Sequence, residues 1–395
     1  AAWRFTPSAR FSIVERVGIG VNRFSNRNPT GIEIGRGAGE DYTWRTDMTA
    51  RLNQAVTLEG GGQIQRQQRE EVGPSSIRSH DAGATLASAF GHLRWEGARG
   101  AVSAGARIDH WTLTDDGGAS PWVQADVRLA GALKLRGGAG IYRQFPGFEE
   151  TVGGYGGELF PDLQQLQHER AYHADVGIEQ ALGTSARWQL TFYTREEREV
   201  LRWPGSEPRE QDGALIFQPD LWINALDGYA RGVELLVQRR STRGLSGWFS
   251  YSYGTNRYRD TTTGERFDGD YEQRHTMNAY ALYRVTNRFS LAGKLRIGSN
   301  TPIVGYWREQ NGNYFVGPSR NTLRVPTYAR FDLRANRTFN WEKKRLTLFV
   351  EVLNLLGRDN LRYETPSIDL RTHQAFGILS SLLPRIPSAG ILIEF

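Results

Sequence analysis

LRVPTYARFDLRANRTFNWEKKRLTLFVEVLNLLGRDN, residues 323–360, alternates almost without error. Ala329, Phe331, Leu333 and Ala335 take one parity; Arg330, Asp332, Arg334 and Asn336 take the other. A period of two is what a strand with unlike faces requires, because successive side chains point to opposite sides of a sheet. After a polar break at Asn340 to Lys344 the alternation resumes, with Leu346, Leu348, Val350 and Val352 opposite Thr347, Phe349, Glu351 and Leu353. Two strands of about ten residues joined by a tight turn make an antiparallel hairpin. Strands of globular proteins usually run about five or six residues, whereas a tilted strand crossing a bilayer needs about 9–11. The hairpin predicts an all-β, antiparallel transmembrane barrel. Phe331, Leu333, Leu348 and Val350 should touch lipid, and Arg330, Asp332, Arg334 and Glu351 should line the lumen.

Composition agrees with that reading. The 395 residues are 39% hydrophobic and 23% charged, with a mean hydropathy of −0.53. No run of eighteen apolar residues occurs, which excludes transmembrane helices, but a barrel needs only every second residue to face lipid. The 45 glycines and 11% aromatics suit a wall that bends and carries interfacial girdles. Cysteine is absent, so disulfides, thiolate metal sites and cysteine nucleophiles are excluded. Of 49 basic residues four are lysines: Lys134, Lys294, Lys343 and Lys344. The plain explanation is a GC-rich genome; the functional one is a surface that meets anions, to which arginine offers a two-pronged donor. The arginines are spread rather than gathered in one patch, so no nucleic-acid partner is expected. The chain opens on neither Met nor a charged-then-apolar leader, as a mature or truncated chain would.

Beyond a scrap at Trp3 to Phe5, sixteen segments alternate: 10–22, 43–52, 55–66, 83–95, 100–110, 121–131, 133–144, 171–182, 186–198, 229–239, 246–258, 275–286, 288–298, 328–339, 345–356 and 386–395. Short breaks at 53–54, 96–99, near 132, 183–185, 240–245, near 287 and 340–344 alternate strictly with long ones at 23–42, 67–82, 111–120, 145–170, 199–228, 259–274, 299–327 and 357–385. A soluble sandwich has no reason to keep that order; an outer-membrane barrel has short periplasmic turns and long external loops. The final strand then runs inward to a periplasmic Phe395, an aromatic at girdle depth. No linker divides residues 1–395, which predicts a single barrel domain.

Several of these stretches resemble the TonB-dependent receptor family of outer-membrane transporters. RFDLRANRTFNWEKKRLTLFVEVLNLLGRDN (330–360), with its V-x-N-L ending at Val352 to Leu355, is similar to the family's near-terminal strand pair. YEQRHTMNAYALYRVTNRFSLAGKLRIGSNTP (271–302) resembles its D-Q-R-H strand, with the acidic position shifted to Glu272. LKLRGGAGIYRQFPGFEE with PDLQQLQHER (133–150, 161–170), RGVELLVQRR (231–240) and SAGILIEF (388–395) fit as well, although Gln144 and Phe145 separate Arg143 from Pro146. The resemblance implies a barrel of 22 strands preceded by a plug and an energy-coupling box, neither of which is seen here. It therefore implies a C-terminal portion, short of the plug and about six strands. It also implies that a scarce solute (siderophore, vitamin, oligosaccharide or peptide) is admitted by TonB-coupled transport.

No cofactor and no enzymatic activity are expected, since no Ser-His-Asp or nucleophile-elbow pattern appears. The seven histidines form no ligand spacing. The loop GGYGG at 153–157 lacks the Lys-Ser/Thr of a phosphate-binding turn. The acidic loop Asp260, Glu265, Asp268, Asp270 and Glu272 could hold calcium but lacks EF-hand spacing, so solvated loop charge is the plainer expectation. Solute binding is assigned to Arg143, Tyr155, Phe160, Trp203, Trp222, Tyr306, Trp307 and Tyr314, since aromatics give contact area at low entropic cost; residue by residue, girdle or loop packing competes. Arg330, Asp332 and Arg334 should form an internal ion-pair ladder. The alternative to a coupled receptor is a passive sixteen-stranded porin, which would seal strand 10–22 against strand 386–395.

Overall fold

The computed structural model describes residues 1–72, 80–151, 165–218, 220–342 and 344–395. All sixteen alternating segments fall on strands of one antiparallel sheet, to within a few residues. In chain order its wall runs Ala2–Ser8, Phe11–Arg27, Glu33–Arg51, Val56–Val72, His80–Gly97, Gly100–Trp111, Asp116–Arg128, Leu133–Gln144, Glu169–Leu182, Ala186–Arg202, Ile223–Arg239, Gly244–Asp260, His275–Thr286, Phe289–Gly298, Tyr328–Trp341, Lys344–Leu353 and Ile386–Glu394. Neighbours in this order are neighbours in the sheet. The scrap at Trp3 to Phe5 is itself a strand, Ala2–Ser8, paired with Phe11–Arg27. Phe11–Arg27 thus has Ala2–Ser8 on one side and Glu33–Arg51 on the other. Both edges of Phe11–Arg27 are therefore taken, and among the described residues no ladder joins it to Ile386–Glu394, the pairing expected of a sixteen-stranded porin.

The register makes one apolar parity continuous. Val17 faces Trp44, which faces Ile64; Leu135 faces Val127 and Ile178; Phe192 faces Val176 and Val233; Leu348 faces Ile391. These side chains are not covered: Ile19 is 70% exposed, Val350 61% and Ile391 67%. In water a surface of this extent would be an aggregation hazard; in a bilayer it is the lipid-facing belt.

The described residues of the loops at 23–42, 67–82 and 111–120 are largely strand instead, and the ladder runs on through Arg27, Glu33, Val72 and Asp116. Phe11–Arg27 has 17 residues, which at about 3.4 Å each and about 45° of tilt climb roughly 40 Å, past the roughly 30 Å hydrocarbon layer. Above the lipid nothing demands apolar alternation, but backbone pairing continues. Alternation therefore reports the belt rather than the strand.

Two aromatics on the polar parity need accommodation. Phe349 lies opposite Gly390, with the Arg334 guanidinium 3.8 Å from its ring centroid. A Cβ at Gly390 would come within 2.5 Å of that ring. Phe90 repeats the arrangement with Gly61 opposite and Arg45 at 5.6 Å. In both, a missing side chain lets the ring settle on the wall and an arginine gives it a polar cover.

Candidate functional site

Strand connections on one rim are short: 52–55, 98–99, 183–185 and 287–288. On the other rim the connections 203–222, 261–274, 299–327 and 354–385 fold together into a cap. Tyr306–Gln310, Asn313–Arg320, Ser367–Ile368 and Gln374–Phe376 form a small sheet of their own. Beneath it Ile303, Trp307, Val316, Val325, Ala375 and Ile378 make the buried apolar core. Two asparagines fasten the cap to the wall. Asn354, fully buried, donates through Nδ2 to the carbonyls of Arg358 at 3.0 Å and Leu383 at 3.1 Å. Its own N–H donates to Asp332 Oδ1 at 2.8 Å. Asn360 accepts from the Ala329 N–H at 2.9 Å and donates to the Ala329 carbonyl at 3.0 Å. The V-x-N-L ending thus carries a clamp.

Between core and wall lies a network of buried ions. Arg320, whose side chain is 4% exposed, holds Glu207 and Asp270. Arg202 holds Asp260 and Glu207 and donates to the Tyr306 hydroxyl at 3.1 Å. Phe267 sits between the two guanidiniums, 4.6 Å from Arg320 and 5.8 Å from Arg202. Tyr306 in turn donates to Glu265 Oε2 at 2.9 Å. Arg324 and Arg274 each reach both Asp268 and Glu272. The acidic loop is therefore neither a calcium cage nor solvated charge, since its carboxylates are taken by arginines and by Tyr306. Among the described residues no three His, Asp or Glu side chains converge as a metal site.

Burial works to raise the Asp270 carboxyl, but hydrogen bonds and charge from Arg320, with Asn321, outweigh it and hold the group below the usual range. Asp260 is lowered in the same way: burial opposes, while Thr262, Thr263 and Arg202 prevail. Burial raises the Tyr306 phenol, the Arg202 guanidinium works to lower it and Glu265 adds to the rise, which leaves the group raised and neutral.

The solute-binding residues predicted from sequence divide into separate groups. Tyr306 and Trp307 are 2% and 5% exposed, and Tyr314 packs on the same core, so these three build the cap instead of facing solvent. Trp203 and Trp222 stack at 6.0 Å, Trp203 remains 40% exposed, and its Nε1 donates to Asp220 at 2.5 Å. Arg143 stands apart in a relay: its Nε donates to His168 Nε2 at 3.1 Å, and His168 Nδ1 lies 2.7 Å from Asp116. Tyr155 and Phe160 lie outside the described residues. Arg330 pairs with Asp332 at 2.7 Å along its own strand, and Arg334 reaches across to Glu351 at 3.6 Å. Sequence reasoning passed over Arg202, Arg320 and His168. With 49 basic residues in the chain, nothing in the pattern singles out Arg202 and Arg320, the two arginines buried among the described residues.

The sequence profile of TonB dependent receptor-like β-barrels matches residues 3–355. No curated protein matches the sequence. Among solved structures, a mutant of the ferric enterobactin receptor PfeA from Pseudomonas aeruginosa superposes with a TM-score of 0.72 at 16% identity, covering 97% of this chain and 59% of that one. The FrpB iron transporter from Neisseria meningitidis gives 0.69 at 12% identity, covering 96% and 60%. The ferric-catecholate import receptor Fiu from E. coli K12 gives 0.66 at 11% identity, covering 99% and 62%. At these identities the likeness is one of fold, and the chain spans about three fifths of each structure.

Proposed function

The chain belongs to the TonB-dependent receptor-like β-barrel family, a family of the outer membrane, and from that premise we propose that it forms wall and external cap of an import receptor. A scarce solute is taken at the cap and passes along the polar face of the wall once a plug, drawn from the periplasm by TonB, opens the way. The short-turn rim and Phe395 are then periplasmic. The observation that carries this reading is the one-sidedness of the molecule: short turns on one rim, an ordered cap with its own core on the other. A passive pore has little use for an internally packed cap, whereas a receptor needs a preorganised surface. Trp203 with its stacked Trp222, Phe217 (58% exposed), Tyr271 (93%) and Phe376 (52%) give that surface exposed aromatic contacts. Iron chelates are the solute class to try first, given the names of the structures it resembles.

The deciding experiment is accumulation of labelled iron chelates by cells expressing the full-length protein, with and without TonB. One chelate class should accumulate only when TonB is present. Equal accumulation without TonB, together with stable open channels in planar bilayers, would instead establish a passive pore.

A further inference from the structure

Ala186–Arg202, Ile223–Arg239 and Gly244–Asp260 carry their outward parity past the apolar belt. On the first strand it runs from Phe192 to Glu196 and Arg198; on the second, from Val233 to Arg231, Tyr229 and Asp227; on the third, from Tyr253 to Arg257 and Arg259. The charged upper ends of these rows border a cleft of about 740 Å³, completed by the arm Arg266–Asp268 and by the cap segment from Arg320 to Arg324. The arm sets Arg266 directly opposite Arg259. Like charges so placed repel, and a ladder normally answers them with a carboxylate. Here the nearby carboxylates are already engaged. Asp227 is held by Arg198 at 3.0 Å, Glu196 by Arg231 at 3.2 Å, and Asp268 by Arg257 at 3.1 Å and by Arg274 and Arg324. The guanidiniums of Arg259 and Arg266 have neither hydrogen-bond nor ion-pair partner among the described residues, and both residues are exposed.

We propose that Arg259 and Arg266 bind the phosphate of an anionic lipid headgroup in the surrounding leaflet. Parity selects lipid over solute, because the pair faces away from the polar interior. Depth agrees. Arg257 and Arg259 lie four and six residues beyond Tyr253, which at about 3.4 Å per residue and about 45° of tilt is roughly 10–14 Å above it. Arginine stems reach back from there to a headgroup shell some 5–8 Å thick. A phosphoryl oxygen between two guanidiniums would turn their repulsion into paired, charge-assisted hydrogen bonds.

The test uses the full-length protein in neutral detergent, titrated separately with phosphatidic acid, phosphatidylcholine and inorganic phosphate. Native mass spectrometry reads retention, and thermal melting reads stabilisation. Phosphatidic acid should be retained over phosphatidylcholine and should raise the melting temperature. Arg259→Gln with Arg266→Gln should weaken retention about tenfold or more. Without lipid, that double variant should melt no lower than the parent, because repulsion is removed and no native partner is lost; a merely structural role would lower it. Arg266→Gln alone, on the short arm, serves should the double variant fold poorly. Unchanged retention in the variants overturns the proposal, as does an equal shift from inorganic phosphate, which would make the cleft a soluble-anion site. Chelate accumulation is read separately, so loss of lipid retention with uptake intact leaves the transport reading standing.

Discussion

Wall and cap are both built from strands, yet valine meets opposite fates in them: Val350 in the wall is 61% exposed and Val316 in the cap is 0% exposed. Arginine divides as sharply. Arg345 of the wall pairs with Glu394 while 58% exposed, and Arg320 of the cap pairs with Asp270 while 4% exposed. The wall lets lipid do the burying, so its side chains need only the right parity. The cap stands in water and must make its own interior, and its ion pairs are desolvated in the process. Equal substitutions should therefore have unequal consequences in the two regions.

The largest difference is expected at Arg320. Arg320→Ala takes the only ion-pair partner from half-buried Asp270 and leaves Glu207 to Arg202 alone, which costs about 3–5 kcal/mol. Hydrogen exchange should quicken through 303–325 and 361–381 while 275–298 and 328–353 stay protected; equal quickening in both would show that cap and wall do not stand separately. The wall's own weak point is parity. Val350→Arg sets a charge against lipid at about 2–4 kcal/mol near the midplane, whereas Thr347→Arg, on the opposite parity, should fold almost as the parent does. Urea titration of vesicle-inserted protein compares the two, and equal losses would contradict the assignment of faces.

The same contrast explains what could be read from the chain. Within the belt, lipid demands an apolar residue at every second position, so 328–339 and 345–356 declare themselves. Above it, Arg23 to Asn26 pair as regularly as residues below them, and the register shifts only at Arg27, but neither face is selected for apolarity and the sequence resembles a loop. The cap was less legible still. Its strands Tyr306–Gln310 and Asn313–Arg320 are short, and the second meets Gln374–Phe376 some sixty residues on, a pairing no local period records. Tyr306, Trp307 and Tyr314 were recognisable as loop aromatics, but burial turns them inward. Asn354 lay within a readable motif, whereas Arg202 and Arg320 look like any other arginines until tertiary contacts bury them.

A smaller and reversible effect is expected from acid. Asp260 and Asp270 titrate lower in the folded cap than in an unfolded chain, where aspartate titrates near about 3.9. Their contribution is complete above that value and is lost as pH falls through the depressed folded values. Cap packing should therefore hold from neutrality down to about pH 4 and loosen only below it, with Trp307 emission moving to the red while strand circular dichroism persists. Loosening already at pH 6 would mean that some other group governs the cap.

The smallest effect should come from Arg345 and Glu394, which lie 3.5 Å apart across the last two strands of the wall with side chains 58% and 52% exposed. Water screens both charges, and each long side chain gives up rotamer freedom to meet the other, so the coupling should stay below about 1 kcal/mol. A double-mutant cycle with Arg345→Gln and Glu394→Gln isolates it from the cost of either change alone. The coupling should shrink further in 1 M salt, where the screening length falls to about 3 Å. The parallel cycle on Arg320 and Asp270 should be several times larger and less responsive to salt, since Arg320 is 4% exposed and Asp270 35%. Should the wall pair match the cap pair in size and salt response, desolvation would not be what separates the two regions, and the buried network would lose its claim to hold the cap.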